Sequence, residues 1–378
     1  MPADENTNPA PARAARAPDP ARYGQGPRGT RDFYPLEMAK RRWIEERWRK
    51  VAVRFGFEEI DGPRFEHLDT YTVKSGEGIV SELFSFTRAG GETEFALRPE
   101  FTPTLARMVA AKANALPKPI KWFSIGPYFR AERPQRGRLR EFLQWNVDMV
   151  GDPSPEADAE IIACCVEFLT ECGLGPDSVK VRVGDRKVFE TILRGTFVMS
   201  DEDVEEFLQL IDRRPKMTPE DFAWRCGEAG ISKDEIVQFD YWVNRIREEH
   251  PQRVLNEMFQ DVPPEQDTAI FDLVPSLRNA GYGDYISVDL DIVRGLAYYT
   301  GTVFEVHEAT GAERAIAGGG RYDNLVELFG GPPTPAVGFA MGDVVLSLVL
   351  QDKGLMPTDE QIARDLGLNP DVFVFSVD

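Results

Sequence analysis

The sequence predicts an α+β fold: an antiparallel sheet flanked by helices, with a mostly helical insertion. Three observations lead there. Two alternating apolar stretches, W-F-S-I-G-P-Y-F and F-L-Q-W-N-V-D-M-V, bracket a short polar segment and read as a strand pair. Strand-like runs recur in both the first half and the last third of the chain. Between residues 184 and 283 the texture changes to amphipathic helix, as in D-E-D-V-E-E-F-L-Q-L-I-D and K-D-E-I-V-Q-F-D-Y-W-V-N-R-I-R-E-E. Hairpins in runs with segregated helices argue for α+β.

The elements follow in order. Residues 1–25 are rich in Pro and Ala and cannot bury much, so they read as a disordered tail. Residues 26–183 form the first part of a folded core. Within it, 37–56 carry apolar positions at helical spacing, with Gly56 as the stop. F-E-E-I-D-G-P-R-F-E reads as one short strand interrupted by Pro63, suited to an edge or interface. L-F-S-F-T-R-A-G-G-E-T-E-F-A-L-R-P-E is a hairpin turning at Gly90-Gly91. A helix over 101–115, the long hairpin, a helix over 155–173 and the strand V-K-V-R-V complete this part. After the helical insertion at 184–283, residues 284–350 supply the second part of the core. Its strands are Y-I-S-V-D-L-D-I-V, A-Y-Y-T-G-T-V-F-E-V and P-A-V-G-F-A-M-G. Residues 351–369 read as a linker, and 370–378 as the opening strand of a further, truncated domain.

Composition narrows the functional classes. At 378 residues, 42% apolar and 28% charged, the chain is a globular protein of two or more domains. No apolar run is long enough to span a bilayer, and the N-terminus has no apolar signal core. Cys164, Cys165, Cys172 and Cys226 fit a reducing, cytoplasmic setting. Three of them share one predicted helix and read as small buried hydrophobes. The histidines, His67, His250 and His307, have no partner at metal-ligand spacing, so no protein-held metal is expected. With a formal net charge of −19, any nucleic-acid contact must use local basic patches.

One such patch is conspicuous. Arg130, Arg133, Arg136, Arg138 and Arg140 crowd into the hairpin F-R-A-E-R-P-Q-R-G-R-L-R-E-F. Arginine offers planar bidentate donors matched to phosphate and carboxylate. Arg130 ends a strand, Arg138 and Arg140 share a face by alternation, and Glu132 can accept from an amine or an adenine edge. The alternative for any one such loop is a solvated charged turn; the preference for Arg over Lys weighs against it. A second segment, V-R-G-L-A-Y-Y-T-G-T-V-F-E, places Arg294 at a strand end and puts Tyr298 and Tyr299 on opposite faces of the next strand. With Glu305 these could line a small polar pocket, or form an ordinary hairpin with core tyrosines. A third, A-G-G-G-R-Y-D-N-L, has three consecutive glycines that permit close backbone approach, a weak signal taken alone. Glu100, in L-R-P-E-F-T, adds a carboxylate at a strand end, suited to a ligand amine. No Ser/His/Asp arrangement is present. The chemistry reads as phosphate electrostatics beside a small polar pocket.

Together these segments resemble the histidyl-tRNA synthetase family of class II aminoacyl-tRNA synthetases. F-R-A-E-R-P-Q-R-G-R-L-R-E-F is similar to class II motif 2. V-R-G-L-A-Y-Y-T-G-T-V-F-E and G-G-G-R-Y-D are similar to the two histidine-specific signatures. F-G-F-E-E-I-D-G-P-R-F-E is similar to motif 1, whose proline sits at a dimer interface. The match runs in order from G-T-R-D-F-Y-P at Gly29. The resemblance implies the class II catalytic fold, a homodimer, and three substrates: histidine, ATP and histidine tRNA. Mg2+ would accompany the ATP phosphates. It assigns the α-phosphate to Arg130, the adenine to Glu132, the outer phosphates to Arg138 and catalysis to Arg294. Glu100, Thr102, Gln144 and Asp148 match positions around the α-amino group and imidazole of histidine, and Tyr298 and Tyr299 match its pocket.

Two departures from the family pattern stand out. Ala297 replaces the Asp of R-G-L-D-Y-Y, and Val345 stands where motif 3 carries an arginine. Val345 and the short C-terminus suit an alternative, the non-catalytic regulatory subunit of ATP phosphoribosyltransferase. The intact Arg130, Glu132, Arg138 and Arg294 favour the synthetase.

Overall fold

The computed structural model describes residues 24–75, 82–196, 199–214, 217–249, 253–254, 257, 269–289, 292 and 299–367. The first long helix is α1, Pro35–Arg54. It opens on a proline, whose missing N–H costs nothing in the first turn. It stops before Gly56, which holds φ at +80°. Its buried stripe includes Ile44, Trp48, Val51 and Ala52, the i, i+4, i+7, i+8 spacing of an amphipathic helix.

The single strand expected over 57–66 is instead two strands in two sheets: β1, Glu58–Glu59, and β2, Phe65–His67. The chain bends between them around the fully buried guanidinium of Arg98. That group donates to Asp61 Oδ1 at 2.7 Å and to the Gly62 carbonyl at 3.3 Å. After α2, Asp69–Ser75, the expected hairpin forms from β3, Ser85–Thr87, and β4, Glu94–Leu97, with Gly90 at φ +76°. These strands make a three-stranded antiparallel sheet in the order β2-β4-β3.

The main framework comprises α3, Thr102–Ala111, β5, Ile120–Phe129, β6, Glu141–Val150, α4, Pro155–Glu171, and β7, Val179–Asp185. The helical stretch follows: α5, Arg186–Thr196, α6, Asp201–Arg213, α7, Pro219–Glu228, α8, Lys233–Glu248, and α9, Ile270–Asn279. Its own core gathers Phe207, Leu208, Phe222, Phe239 and Ile246. The chain then returns through β8, Ile286–Val288, β9, Thr302–Glu308, β10, Ala317–Arg321, α10, Leu325–Leu328, β11, Ala336–Gly342, and α11, Asp343–Asp352.

The large sheet has eight strands in the order β1-β5-β6-β11-β10-β9-β7-β8. Its six central strands are antiparallel, but both outermost pairs, β1 with β5 and β7 with β8, are parallel. The sheet is therefore mixed rather than purely antiparallel. Each parallel edge strand is short and reached by a crossover, which no local pattern announces. One face of the sheet packs on α1 and α4. There Trp48 stacks on Trp145 with centroids 6.0 Å apart, and Phe168 meets Trp145 edge-on at 5.6 Å.

The stretch expected to be a linker, 351–369, is largely ordered. It contains α12, Asp359–Asp365, started by a reciprocal cap between Thr358 and Gln361 and anchored by buried Ile362 against α1. Residues 1–23 of the expected tail and the strand expected at 370–378 lie outside the described residues. No helix among the described residues is long and apolar enough to cross a membrane.

Candidate active site

Strand alternation divides β6 between two roles. Trp145, Val147 and Met149 enter the core, whereas Gln144, Asn146 and Asp148 face the other way and line a cavity of about 240 Å3. Directly opposite them on β11 are Gly342, Ala340 and Gly338, and Gly318 and Gly320 continue the row onto β10. A row of residues with little or no side chain leaves room for the cavity above the sheet. Gly338 cannot be larger: a Cβ there would lie 2.1 Å from Asp148 Oδ1. Gly320 is equally constrained, because the ring of Tyr299 occupies the space 2.9 Å from its would-be Cβ. The glycine run thus serves a side-chain-free floor as much as a close approach of backbone to ligand.

The floor carries acid at both ends. Asp148, 5% exposed, accepts from the hydroxyl of Tyr322 at 2.5 Å. Burial pushes its carboxyl up to about 7, and the Tyr322 hydrogen bond offsets part of that rise. Glu305 on β9 faces the cavity and contacts His307 Nε2 at 2.8 Å. Glu100 and Thr102, where β4 leads into α3, close a wall together with Tyr299. Gln144 is 8% exposed, and its amide oxygen has no hydrogen-bond partner among the described residues. A buried acceptor facing a cavity is suited to a donor on a bound molecule.

A second cavity of about 230 Å3 shares Arg130, Gln144, Glu305, Gly318 and Ala340 with the first. It is bordered by Arg130, Arg138 and Arg314, with Glu305 as its one carboxylate, and by Phe142 and Val345. The two cavities are continuous along the row of small residues, one lined by acids and amides, the other by arginines.

Arg130 sits just past β5. Its N–H bonds to the Arg140 carbonyl, its Nε reaches the Pro99 carbonyl at 3.3 Å, and its guanidinium lies 5.2 Å from the Phe142 ring. Arg138 is ion-paired with Glu132, which borders neither cavity. Arg138 and Arg140 do not share a strand face as expected, because β6 begins only at Glu141. Both turn toward Glu132, Arg140 through its carbonyl at 3.2 Å. Tyr299 also departs from expectation: it precedes β9, which starts at Thr302. Arg294 and Tyr298 lie outside the described residues.

The third segment divides its labour. Arg321 faces away from the cavities, where it forms a buried pair with Asp158 of α4 at 2.7 Å and donates to the carbonyls of Asp152 and Ser154. Tyr322 holds Asp148, and Asp323 accepts from the Ala336 N–H at 3.1 Å. Asp343, at the start of α11, is also buried; it binds Arg31 at 2.6 Å and accepts from the Leu143 N–H at 2.8 Å. The segment G-T-R-D is thereby tied to β6 and α11. Sequence reasoning missed Asn146, Tyr322 and Arg98. Strand alternation between Gln144 and Asp148 was the signal for Asn146, and Tyr322 stood within the G-G-G-R-Y-D signature; Arg98 gave none.

A family profile described as histidyl-tRNA synthetase matches residues 29–343. The chain belongs to the histidyl-tRNA synthetase family. The histidine–tRNA ligase of Haloarcula marismortui is 43% identical over 356 residues, covering 93% of this chain and 78% of the relative. That of Opitutus terrae is 44% identical over 336 residues, covering 87% and 75%. Among solved structures, a histidyl-tRNA synthetase from Nostoc superposes with a TM-score of 0.72 at 25% identity, over 88% of this chain and 77% of that one. A Bacillus halodurans structure described as an ATP phosphoribosyltransferase regulatory subunit/histidyl-tRNA synthetase gives a TM-score of 0.74 at 22% identity, covering 88% and 83%. At that identity the likeness concerns the fold alone. The class II synthetase fold expected from the sequence is thus the fold of this family.

Proposed function

We propose that this protein is a histidine–tRNA ligase that forms histidyl-adenylate in the two joined cavities and passes the histidyl group to tRNA. One observation carries the reading: an arginine-lined cavity and an acid-lined cavity share a wall that includes Arg130. Two substrates of opposite character can therefore meet there. Histidine lies in the first cavity, its α-amino group toward Glu100 and Thr102 and its imidazole toward Gln144, Asp148, Tyr298 and Tyr299. ATP lies in the second, its α-phosphate at Arg130 and its outer phosphates toward Arg138. Glu132, just outside that cavity, orients Arg138 and meets the adenine where the base extends past the cavity mouth.

A histidine carboxylate oxygen attacks the α-phosphorus. The bond from that phosphorus to the bridging oxygen breaks, and pyrophosphate leaves with the electron pair. Arg130 and Arg294 neutralise the charge that builds on the α-phosphoryl oxygens, so catalysis is positioning plus electrostatics. The 3′-terminal ribose hydroxyl of histidine tRNA then attacks the histidyl carbonyl carbon. AMP departs, and the hydroxyl proton leaves with it. Magnesium enters as the counter-ion of the ATP phosphates. The protein's part in holding those phosphates is the arginine wall.

The enzyme acts as a homodimer in the cytoplasm on this reading. An aromatic cluster on the small sheet supports the dimer: Phe65 and Phe86, 48% and 44% exposed, pack edge-on at 5.9 Å beside Phe95. Such a patch is suited to burial against a second copy.

Histidine-dependent exchange of pyrophosphate into ATP tests the activity. Exchange with histidine and with no other amino acid is expected. Its absence, with stimulation of an ATP phosphoribosyltransferase instead, would replace this reading with the regulatory-subunit one.

A further inference from the structure

The arginine-lined cavity contains a cation that the reading above leaves without a role. Arg314 lies in the segment before β10, next to the tip of the arginine hairpin, and borders the cavity with Val345. It makes no ion pair among the described residues, whereas Arg136, Arg138 and Arg140 of the hairpin are each engaged. Arg138 pairs with Glu132. Arg136 pairs with Glu313 at 2.5 Å and with Asp352 at 3.3 Å, and Arg140 donates to the Glu132 carbonyl.

The position of Arg314 is set by its surroundings. The carboxylate of Glu313, 7% exposed, is clasped by Arg136 from the hairpin tip, so the residue before Arg314 is fixed to that tip. Gly137, at φ +74°, lets the tip pass close to both Arg314 and α11. A Cβ at Gly137 would lie 3.3 Å from Val345 Cγ2 and 3.6 Å from Arg314 Cδ. The hairpin tip, Arg314 and the α11 position that carries no charge thus meet at one end of the cavity. With Arg130 and Arg138, Arg314 makes three guanidinium groups against one carboxylate, Glu305, around a space of about 230 Å3. Such a surplus calls for a polyanion.

We infer that Arg314 binds the outer phosphates of ATP, supplying from the β10 side the cation that α11 lacks at Val345. The inference rests on the proposed ligase reading for the nucleotide's identity, but its test does not depend on turnover. Arg314 is exposed, so its replacement leaves the fold intact. Calorimetry would compare the affinities of wild type, Arg314→Ala and Arg314→Lys for a non-hydrolysable ATP analogue, for AMP and for a non-hydrolysable histidyl-adenylate analogue. Arg314→Ala should weaken the ATP analogue roughly tenfold to a hundredfold, the scale of one lost charge-assisted contact. AMP and the adenylate analogue, which lack outer phosphates, should change by less than about twofold, and Arg314→Lys should recover part of the loss. In the exchange assay the KM for ATP should rise while that for histidine holds. An unchanged affinity for the ATP analogue, or equal weakening of all three ligands, would overturn the assignment. Wild-type protein that binds the ATP analogue yet gives no histidine-dependent exchange would refute the ligase reading and leave this one standing.

Discussion

Asp148→Asn should separate function from stability in opposite directions. The Asp148 carboxyl is 5% exposed, is hydrogen-bonded by Tyr322, and is pushed by burial from an ordinary 3.8 to about 7. Because the folded state holds this proton more tightly than the unfolded chain, the folded protein is favoured at low pH and loses that advantage as pH rises from about 4 to about 7. Each pH unit across that window costs about 1.4 kcal/mol, and the full span of roughly three units costs about 4 kcal/mol. The asparagine variant escapes this cost, since its amide carries no charge and its oxygen can still accept from Tyr322. Denaturant unfolding of both proteins from pH 5.5 to 8.5 is the assay. The variant's advantage should grow by about 2 kcal/mol between pH 5.5 and 7 and then level off. Histidine-dependent exchange should fall at least about a hundredfold, since the buried carboxylate that receives the substrate's imidazole is gone. A stability difference that stays flat across this pH range would refute the reasoning, because Asp148 would then be titrating where an ordinary carboxylate does.

Other perturbations address the floor, its far side and the catalytic charge. Gly338→Ala brings a methyl 2.1 Å from Asp148 Oδ1 and 2.7 Å from the Val147 carbonyl, so histidine binding measured by calorimetry should be lost even where circular dichroism shows a folded protein. Retention of wild-type affinity would mean that the floor does not contact the ligand. Arg321→Ala leaves Asp158 buried without its cation and should cost about 3–5 kcal/mol in denaturant unfolding, while Arg321→Met with Asp158→Leu should recover most of it. A loss below about 1 kcal/mol for the single change would show that the pair is dispensable. Arg294→Ala should abolish pyrophosphate exchange while leaving histidine binding measurable, and surviving exchange would remove Arg294 from the chemistry.

Much of this arrangement was legible because it is local. The strand pair β5–β6 alternates cleanly over ten residues a side, and α1 carries its apolar stripe at helical spacing. Motif order then named the family. What stayed hidden depends on contacts distant in sequence. The break between β1 and β2 follows from Arg98, whose burial under Gly126 and beside Asp61 has no local cue. The parallel edges depend on crossovers, and α12 in the expected linker depends on an apolar contact between Ile362 and α1. The glycine run was read as a backbone approach to ligand; only the register of β6, β11 and β10 reveals the aligned small residues as one floor. Arg314 was passed over because nothing in A-E-R-A-I tells that its side chain borders the same cavity as Arg130.

A crystal structure of the protein with a non-hydrolysable histidyl-adenylate analogue tests the central claim, that the two cavities form one histidine-activating site. The ligand should span both, with its imidazole beside Gln144 and Asp148 and its phosphoryl oxygens against Arg130. An imidazole bound elsewhere, or a phosphoryl group that does not touch Arg130, would contradict it.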